Sequence, residues 1–383
     1  MPIKLVNDTI DHSDIEKLIS WLSKNEKLTK GPLTLEFEKK WSNWLGVKYS
    51  VFVNSGSSAN LAAVYSLLLS GKLKNNKIVV PAVSWVTTVT PIIQLGLEPI
   101  MCDADENNLG LDINHLKKII LEDSPSAIIL VHVLGIPNSM SEIIQLCEEN
   151  DILLIEDSCE SIGSTYQNKN IGTFGDVSTF SFYFGHHMST IEGGMISTND
   201  EDLYHILLSI RSHGWDRDLP LDKQIELRKK YNVSEFKSLY TFYHPGFNLR
   251  STDLQAFIGI QQMEKLTNII NVRNRNYKIY KDGIKNSFWN VDEPKNSLVS
   301  NFAFPIISKK INVIVNELIN NNIECRPLIC GSINEQPFWY ERYGKNDLPF
   351  AKKVHDYGFY VPNNHQLNEN EIGLVIDIIN KNL

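Results

Sequence analysis

The chain has 383 residues, of which 42% are hydrophobic and 21% charged, with a formal net charge of −8. This is an ordinary globular composition, long enough for two domains and a large core. The acidic balance, with no long basic run, argues against a nucleic-acid partner or an anionic membrane, while a local phosphate pocket remains compatible with it.

The first residues, MPIKLVNDTIDHSD, lack the apolar centre of a signal peptide, and no apolar run reaches the roughly 18 residues of a membrane span. Ser13-Asp14-Ile15-Glu16 reads as a capping box opening a helix through Leu22. Phe37, Trp41, Trp44 and Leu45 form the apolar stripe of a second helix, stopped by Gly46. Tyr49 to Val53 reads as a strand that runs into Asn54-Ser55-Gly56-Ser57-Ser58 and then a helix through Leu68. A strand, a turn of small residues and a helix start leave backbone N–H groups free to hold an anion.

The alternation continues. Strands are expected at 77–81, 99–103, 127–133 and 152–155, the last ending in Glu156-Asp157-Ser158. Helices are expected at 85–95, 113–121 and 139–150, the third capped by Ser139 with Glu142. Repeated βα units predict an α/β fold with a mostly parallel sheet, whose ligands gather at the carboxyl ends of the strands.

Ser178 to Ser197, STFSFYFGHHMSTIEGGMIS, begins as an aromatic strand, breaks at Gly185, exposes two histidines and returns through Gly193-Gly194. A strand delivering a titratable side chain to a loop, followed by a glycine pair that lets backbone pass, is a common way to build an active site. Asp200 to Arg211 reads as a helix, and residues 214–243 as a polar excursion. Thr252 caps a helix of about thirty residues, running towards Gly283. Beyond it, a strand at 302–307, a helix near 313–319, a strand near Cys325 and a helix at 371–379 suggest a smaller α+β domain. The expected division is residues 1–250 and 251–383. The Asn-rich patches near 319–322 and 363–370 read as turns.

Several ordered motifs now coincide. They are Asn54-Ser55-Gly56-Ser57-Ser58-Ala59, Pro81-Ala82-Val83-Ser84-Trp85, Glu156-Asp157-Ser158-Cys159-Glu160 and Phe180-Ser181-Phe182. Glu192-Gly193-Gly194, Gly246-Phe247-Asn248 and Thr252-Asp253-Leu254-Gln255-Ala256 follow. From about Lys27 to the C-terminus this succession resembles the pyridoxal-phosphate-dependent nucleotide-sugar aminotransferase family, with its type I, aspartate-aminotransferase-like fold. The resemblance implies that Gly56, Ser57 and Ser181 hold the cofactor phosphate and that Trp85 stacks on the ring. Asp157 would pair with the pyridine nitrogen so that the ring accepts electrons. It also implies that Asn248 reaches the phosphate of a neighbouring subunit, hence a homodimer with shared sites. Glu160 stands where many members carry Gln and is counted with the cofactor contacts.

One position departs from the family. Six residues after Phe180 the aminotransferases carry the lysine that binds the cofactor covalently; this chain has His186, and no lysine lies between residues 170 and 222. Imidazole makes no stable imine, yet it moves protons near neutral pH. The expectation is a non-covalently held cofactor working as pyridoxamine phosphate. His186 would be the base in a 3-dehydration of a nucleotide-linked 4-keto-6-deoxyhexose, with L-glutamate restoring the amine. GDP-4-keto-6-deoxy-D-mannose as substrate rests on resemblance alone. The other readings are an aminotransferase with an atypical histidine and a non-catalytic sugar-binding relative. His213, Arg217, Arg250 and Arg326 are candidate substrate contacts, since guanidinium suits diphosphate or carboxylate.

Cys102, Cys147, Cys159, Cys325 and Cys330 are scattered without CxxC spacing. They offer no iron–sulfur cluster and no disulfide frame, and no metal site is expected; reduced thiols in the cytoplasm are.

Overall fold

The computed structural model describes residues 2–24, 26–285 and 288–383. In chain order the elements begin with α1 (His12–Leu22), α2 (Pro32–Leu45), β1 (Tyr49–Val53), α3 (Gly56–Ser70), β2 (Lys77–Pro81), α4 (Val86–Gln94) and β3 (Glu98–Cys102). Next come α5 (Ile113–Asp123), β4 (Ala127–Val131), α6 (Met140–Asn150), β5 (Leu153–Asp157) and the short hairpin of β6 (Thr165–Tyr166) and β7 (Lys169–Asn170). Then follow β8 (Val177–Ser181), β9 (Gly194–Thr198), α7 (Glu201–Arg211), α8 (Leu221–Lys230), α9 (Glu235–Ser238) and α10 (Asp253–Gly283). The last part holds β10 (Ala303–Ile307), α11 (Ile311–Asn320), β11 (Arg326–Pro327), α12 (Pro337–Tyr343), α13 (Pro349–Tyr357), β12 (Gly358–Pro362) and α14 (Glu369–Asn382).

Seven strands form one sheet in the order β1-β9-β8-β5-β4-β2-β3. Only β9 runs against its neighbours, so β1, β8, β5, β4, β2 and β3 point the same way. The central strand β4 is apolar throughout, as a sheet covered on both faces requires: every residue from Ala127 to Val131 is buried. A second sheet, β10-β12-β11, is antiparallel. The N-terminal arm joins it, with Ile3 bridging Ile323 in parallel.

Long-range caps fix how the helices dock. Gly31 at the N-cap of α2 has no side chain to cap with. Asp253, at the start of α10, supplies the carboxylate instead: it accepts from the N–H groups of Gly31 (2.7 Å), Leu33 (3.1 Å) and Thr34 (2.9 Å) and from the Thr34 hydroxyl (2.7 Å). An anion among the free donors of a helix start is favourable twice over, by hydrogen bonding and by the helix dipole.

The structure differs from the sequence reading in several places. The cap of α1 is Asp11, paired reciprocally with Asp14, because the helix begins at His12, one residue before Ser13. Ser139 caps nothing; its hydroxyl accepts from the Asn108 amide at 3.3 Å. The excursion 214–243 contains α8, which buries none of its residues, and α9. Strand β5 continues through Asp157, and β4 stops at Val131. The 363–370 patch holds the expected turn at His365-Gln366, but Asn363 and Asn364 ahead of it are fully buried and bonded, and Asn368 after it caps α14.

Replacing Asp253 with Ala strips four donors at the α2 start of their acceptor. The expected loss is about 3 kcal/mol of stability, read as a lowered midpoint in urea denaturation.

Candidate active site

The carboxyl ends of the parallel strands open on one cavity of about 760 Å³. Segments from both sheets feed it. After β1, Ser55 caps α3 by accepting from the Ser58 N–H at 3.0 Å, which leaves the first-turn N–H groups of Gly56 and Ser57 without intrahelical acceptors. A Cβ on Gly56 would lie 2.6 Å from the Ser181 Cβ, so only glycine lets the helix start meet the end of β8. Gly194 in β9 serves likewise, since a Cβ there would sit 2.3 Å from the Ser55 carbonyl oxygen. Trp85, the residue ahead of α4, lies along the cavity wall and is 55% exposed.

Asp157 closes β5 and is 3% exposed. Its Oδ2 accepts from the Asn60 amide (2.8 Å) and the Thr88 hydroxyl (2.7 Å), and its Oδ1 from the Cys159 N–H (3.1 Å). Thr179 donates to the Asn60 carbonyl at 2.6 Å and so turns the Asn60 amide towards the carboxylate. Three donors thus fix the orientation of this buried carboxyl group. Glu160, 7% exposed, accepts one hydrogen bond, from the Leu134 N–H at 2.7 Å. Burial pushes its carboxyl up to about 8; the Leu134 contact opposes this and the charge of Asp157 adds to it.

The histidine loop connects β8 to β9. The Phe182 N–H donates to Gly193 and the Thr190 N–H to Phe182, each at 2.9 Å, which closes the loop at its base. Ile191 sits at φ 71°, an unfavourable conformation for a β-branched residue, held by these contacts. His186 lines the cavity, with its ring 5.4 Å from that of Phe302. Its Nδ1 is buried without a partner. Burial pulls the imidazole down to about 4; the Arg273 charge pushes the same way and the Cys159 backbone opposes it. The ring is therefore neutral at physiological pH and able to accept a proton. His187 turns the other way, fully buried, with Nε2 2.9 Å from the Ser300 carbonyl oxygen.

Gly56, Ser57, Trp85, Asp157, Glu160, Ser181, His186 and Arg326 thus share one cavity. Asn248, Arg217 and Arg250 do not; they line a second cavity of about 400 Å³ together with Lys27, Lys30 and Trp215. Arg217 lies 4.0 Å over the Trp215 ring, and Arg250 donates to the Asn248 side chain at 3.1 Å. His213 stands beside this second cavity, its ring 5.1 Å from Trp215 and its Nε2 3.4 Å from Arg250. Sequence reading missed the arm residues Lys4, Leu5 and Val6, and Tyr360, all of which wall the first cavity. It also missed Asn60 and Thr88. These were findable, since each sits about one helical turn past a motif already singled out. Nothing local marks the arm. Among the described residues no group of three His, Cys, Asp or Glu side chains is placed to hold a metal ion, and all five cysteines are free.

The sequence profile of the DegT/DnrJ/EryC1/StrS aminotransferase family matches residues 9–380. The chain is 38% identical over 374 residues to a GDP-4-keto-6-deoxy-D-mannose 3-dehydratase of Escherichia coli O55:H7, covering 95% of each chain. It is 35% identical over 378 residues to the enzyme of the same name from Yersinia pseudotuberculosis, covering 96% of this chain and 95% of that one. A solved structure of the E. coli dehydratase with bound hydrated pyridoxal phosphate superposes with a TM-score of 0.89, at 34% identity over 99% of this chain and 100% of that one. Another, with a trapped adduct of pyridoxal phosphate and glutamate, also gives 0.89, at 35% identity over 98% and 100%.

The residues present fit that cofactor. Free N–H groups at a helix start, with the Ser57 and Ser181 hydroxyls, suit its phosphate; a buried, hydrogen-bonded Asp157 suits its ring nitrogen; an exposed indole suits its ring face. Replacing Ser181 with Ala should weaken pyridoxal phosphate binding about tenfold or more, the worth of one hydrogen bond to a charged group. Fluorescence titration reads this, with near-ultraviolet circular dichroism showing an unchanged fold.

Proposed function

The chain belongs to the DegT/DnrJ/EryC1/StrS aminotransferase family, and we propose that within it the protein is a pyridoxamine-phosphate-dependent 3-dehydratase of GDP-4-keto-6-deoxy-D-mannose. The observation that carries this is His186: a neutral imidazole faces the cavity from the loop after β8, where family aminotransferases carry a lysine. The one lysine among the described lining residues, Lys4, comes from the N-terminal arm.

When bound, the cofactor supplies an amine that condenses with the 4-keto group and a ring that accepts an electron pair. The protein does the rest. Gly56, Ser57 and Ser181 anchor the phosphate without a covalent tether. Asp157 keeps the ring nitrogen protonated. Trp85 covers one ring face. His186 takes the proton from the carbon attached to the amine, which lets the neighbouring hydroxyl leave. Glutamate then returns an amino group to the cofactor.

On this reading residues 1–250 form the cofactor domain, and residues 251–383 supply the linking helix and the smaller domain. The second cavity belongs to the same chemistry through a homodimer. Its lining is cationic, with Lys27, Lys30, Arg217 and Arg250 against Asp218, while the acidic side chains of Asp157, Glu192 and Glu324 line the first. Opposed charges favour apposition of the two across a two-fold axis. Asn248 and Arg250 would then complete a neighbour's site, and Arg326 and Arg217 would hold substrate anions. No helix among the described residues is long and apolar enough to cross a membrane; we place the reaction in the cytoplasm, where nucleotide sugars and glutamate are available.

Incubation with GDP-4-keto-6-deoxymannose, glutamate and cofactor should give ammonia and a sugar nucleotide lacking the 3-oxygen by mass analysis; a retained 3-hydroxyl with a new amino group would mean transamination instead. His186→Asn should lower dehydration about 100-fold or more while retaining the cofactor. His186→Lys should give a coloured, borohydride-trappable bond to pyridoxal phosphate. Mixing His186→Asn with Asn248→Ala subunits should restore activity that neither has alone; no recovery in mixed oligomers would argue against shared sites.

A further inference from the structure

The cavity wall carries a second group able to hold a proton, and the mechanism above leaves it unused. We propose that Glu160 is the catalytic acid that protonates the departing hydroxyl, so that His186 acts as base alone. This rests on the dehydratase reading and adds a residue to it.

Position comes first. Glu160 lies one turn after Asp157 in the wall of the cavity that His186 lines. Its Oε2 takes the Leu134 N–H. That turn is pinned in turn, because the Leu134 carbonyl accepts from the Asn301 amide at 2.8 Å and the Phe302 N–H at 2.9 Å. Oε1 accepts nothing from the protein, and it is not among the side-chain atoms sealed from solvent without a partner. It therefore opens on the cavity.

Charge comes second. Among the described residues no Lys, Arg or His side chain lies within ion-pairing distance of Glu160; the salt bridges involve other carboxylates. The groups facing it are the Asp157 carboxylate on its own loop and, from the smaller sheet's side, Cys330 and Tyr360, whose protons burial holds on up to about 11 and about 12. Cys159, between the two acids, is likewise pushed well up by burial. Burial disfavours the charged form of Glu160, and the neighbouring Asp157 charge adds to it. Asp157 has three donors and Glu160 has one. The proton stays on Glu160.

The two environments invert the usual order of a carboxyl and an imidazole. Glu160 is lifted to about 8 and His186 lowered to about 4. Between those limits the base is empty and the acid loaded, which is the arrangement an elimination needs. The step balances. His186 gains the proton from carbon, the carbon–oxygen bond at position 3 breaks, and the oxygen departs with the Glu160 proton as water. The imidazolium and carboxylate left behind are reset by proton exchange with solvent before the next turnover.

Glu160→Gln keeps the size and the Leu134 contact but has no transferable proton. In the apoprotein at pH 7, infrared difference spectra should show a neutral carboxyl band in the wild type that Glu160→Gln lacks. In the holoenzyme, dehydration should fall about 100-fold or more, and at least ten times further than amination of the cofactor by glutamate, followed by absorbance. Wild-type dehydration should decline as pH rises through about 8, because a raised carboxyl loses its proton there. Near wild-type dehydration by Glu160→Gln would overturn the proposal, as would equal loss in both half-reactions or a wild type without the band. A wild type that removes no hydroxyl sinks the dehydratase reading itself; an active wild type with an active Glu160→Gln sinks this inference alone.

Discussion

An imidazole in place of an amine at residue 186 sets the terms for the rest of the cavity. Without a covalent tether, the cofactor must be held by geometry that is already in place. Micromolar retention corresponds to about 8 kcal/mol, and hydrogen bonds to charged groups contribute about 1.5–3 kcal/mol each. A phosphate cup and one ion pair therefore suffice, provided their donors need no ordering on binding. The structure meets that condition by stacking supports behind each contact. Ser55 caps the helix whose start offers the anion site, and Thr179 orients the amide that steadies Asp157. Gly56 and Gly194 let three strands and a helix meet where any larger residue would hold them apart.

The same region lowers the pKa of its histidines first by burying them and second by burying a cation beside them. Arg273 of α10 is 2% exposed, and its described partners are the backbone carbonyls of Asn301, Phe302 and Asn363; no carboxylate is among them. Its charge disfavours a second positive charge on His186, His187 and His365. A buried cation without a counter-ion costs stability, and here it adds to the burial that keeps the His186 imidazole neutral. The carbonyls that satisfy it flank β10 and follow β12, so the small sheet and the chemistry of the histidine loop are fixed together.

Much of this was legible in the residues, for stated reasons. Apolar runs located β1 and β2, and caps located α3 and the 31-residue α10. The motifs after β1, β5 and β8 were visible as strand ends, and the folded chain gathers them in one cavity. What local sequence could not show was competition between distant partners. Ser139 resembles a cap until Asn108 is brought beside it. Asn363 reads as a turn residue until the Arg273 carbonyl and Asn301 receive its amide. Helix α8 buries none of its residues within the chain, so no apolar periodicity marked it inside the polar excursion.

The N-terminal arm shows why the remaining wall of the cavity escaped local reading. The Leu5 N–H donates to Glu324 at 3.0 Å and Asn364 donates to the Lys4 carbonyl at 2.7 Å, which lays the arm along the smaller sheet. A few residues later the Thr9 hydroxyl accepts from the Ser189 N–H at 3.1 Å, and its carbonyl accepts from Gln262. One short segment thus ties the histidine loop to α10 and to the smaller sheet at once. Its own sequence carries no strand alternation strong enough to announce it; the arm takes its shape from partners up to 360 residues away. The position of His186 is therefore set jointly by the β8–β9 hairpin and by a strap from the opposite end of the chain, and both must be in place before the imidazole faces the cavity.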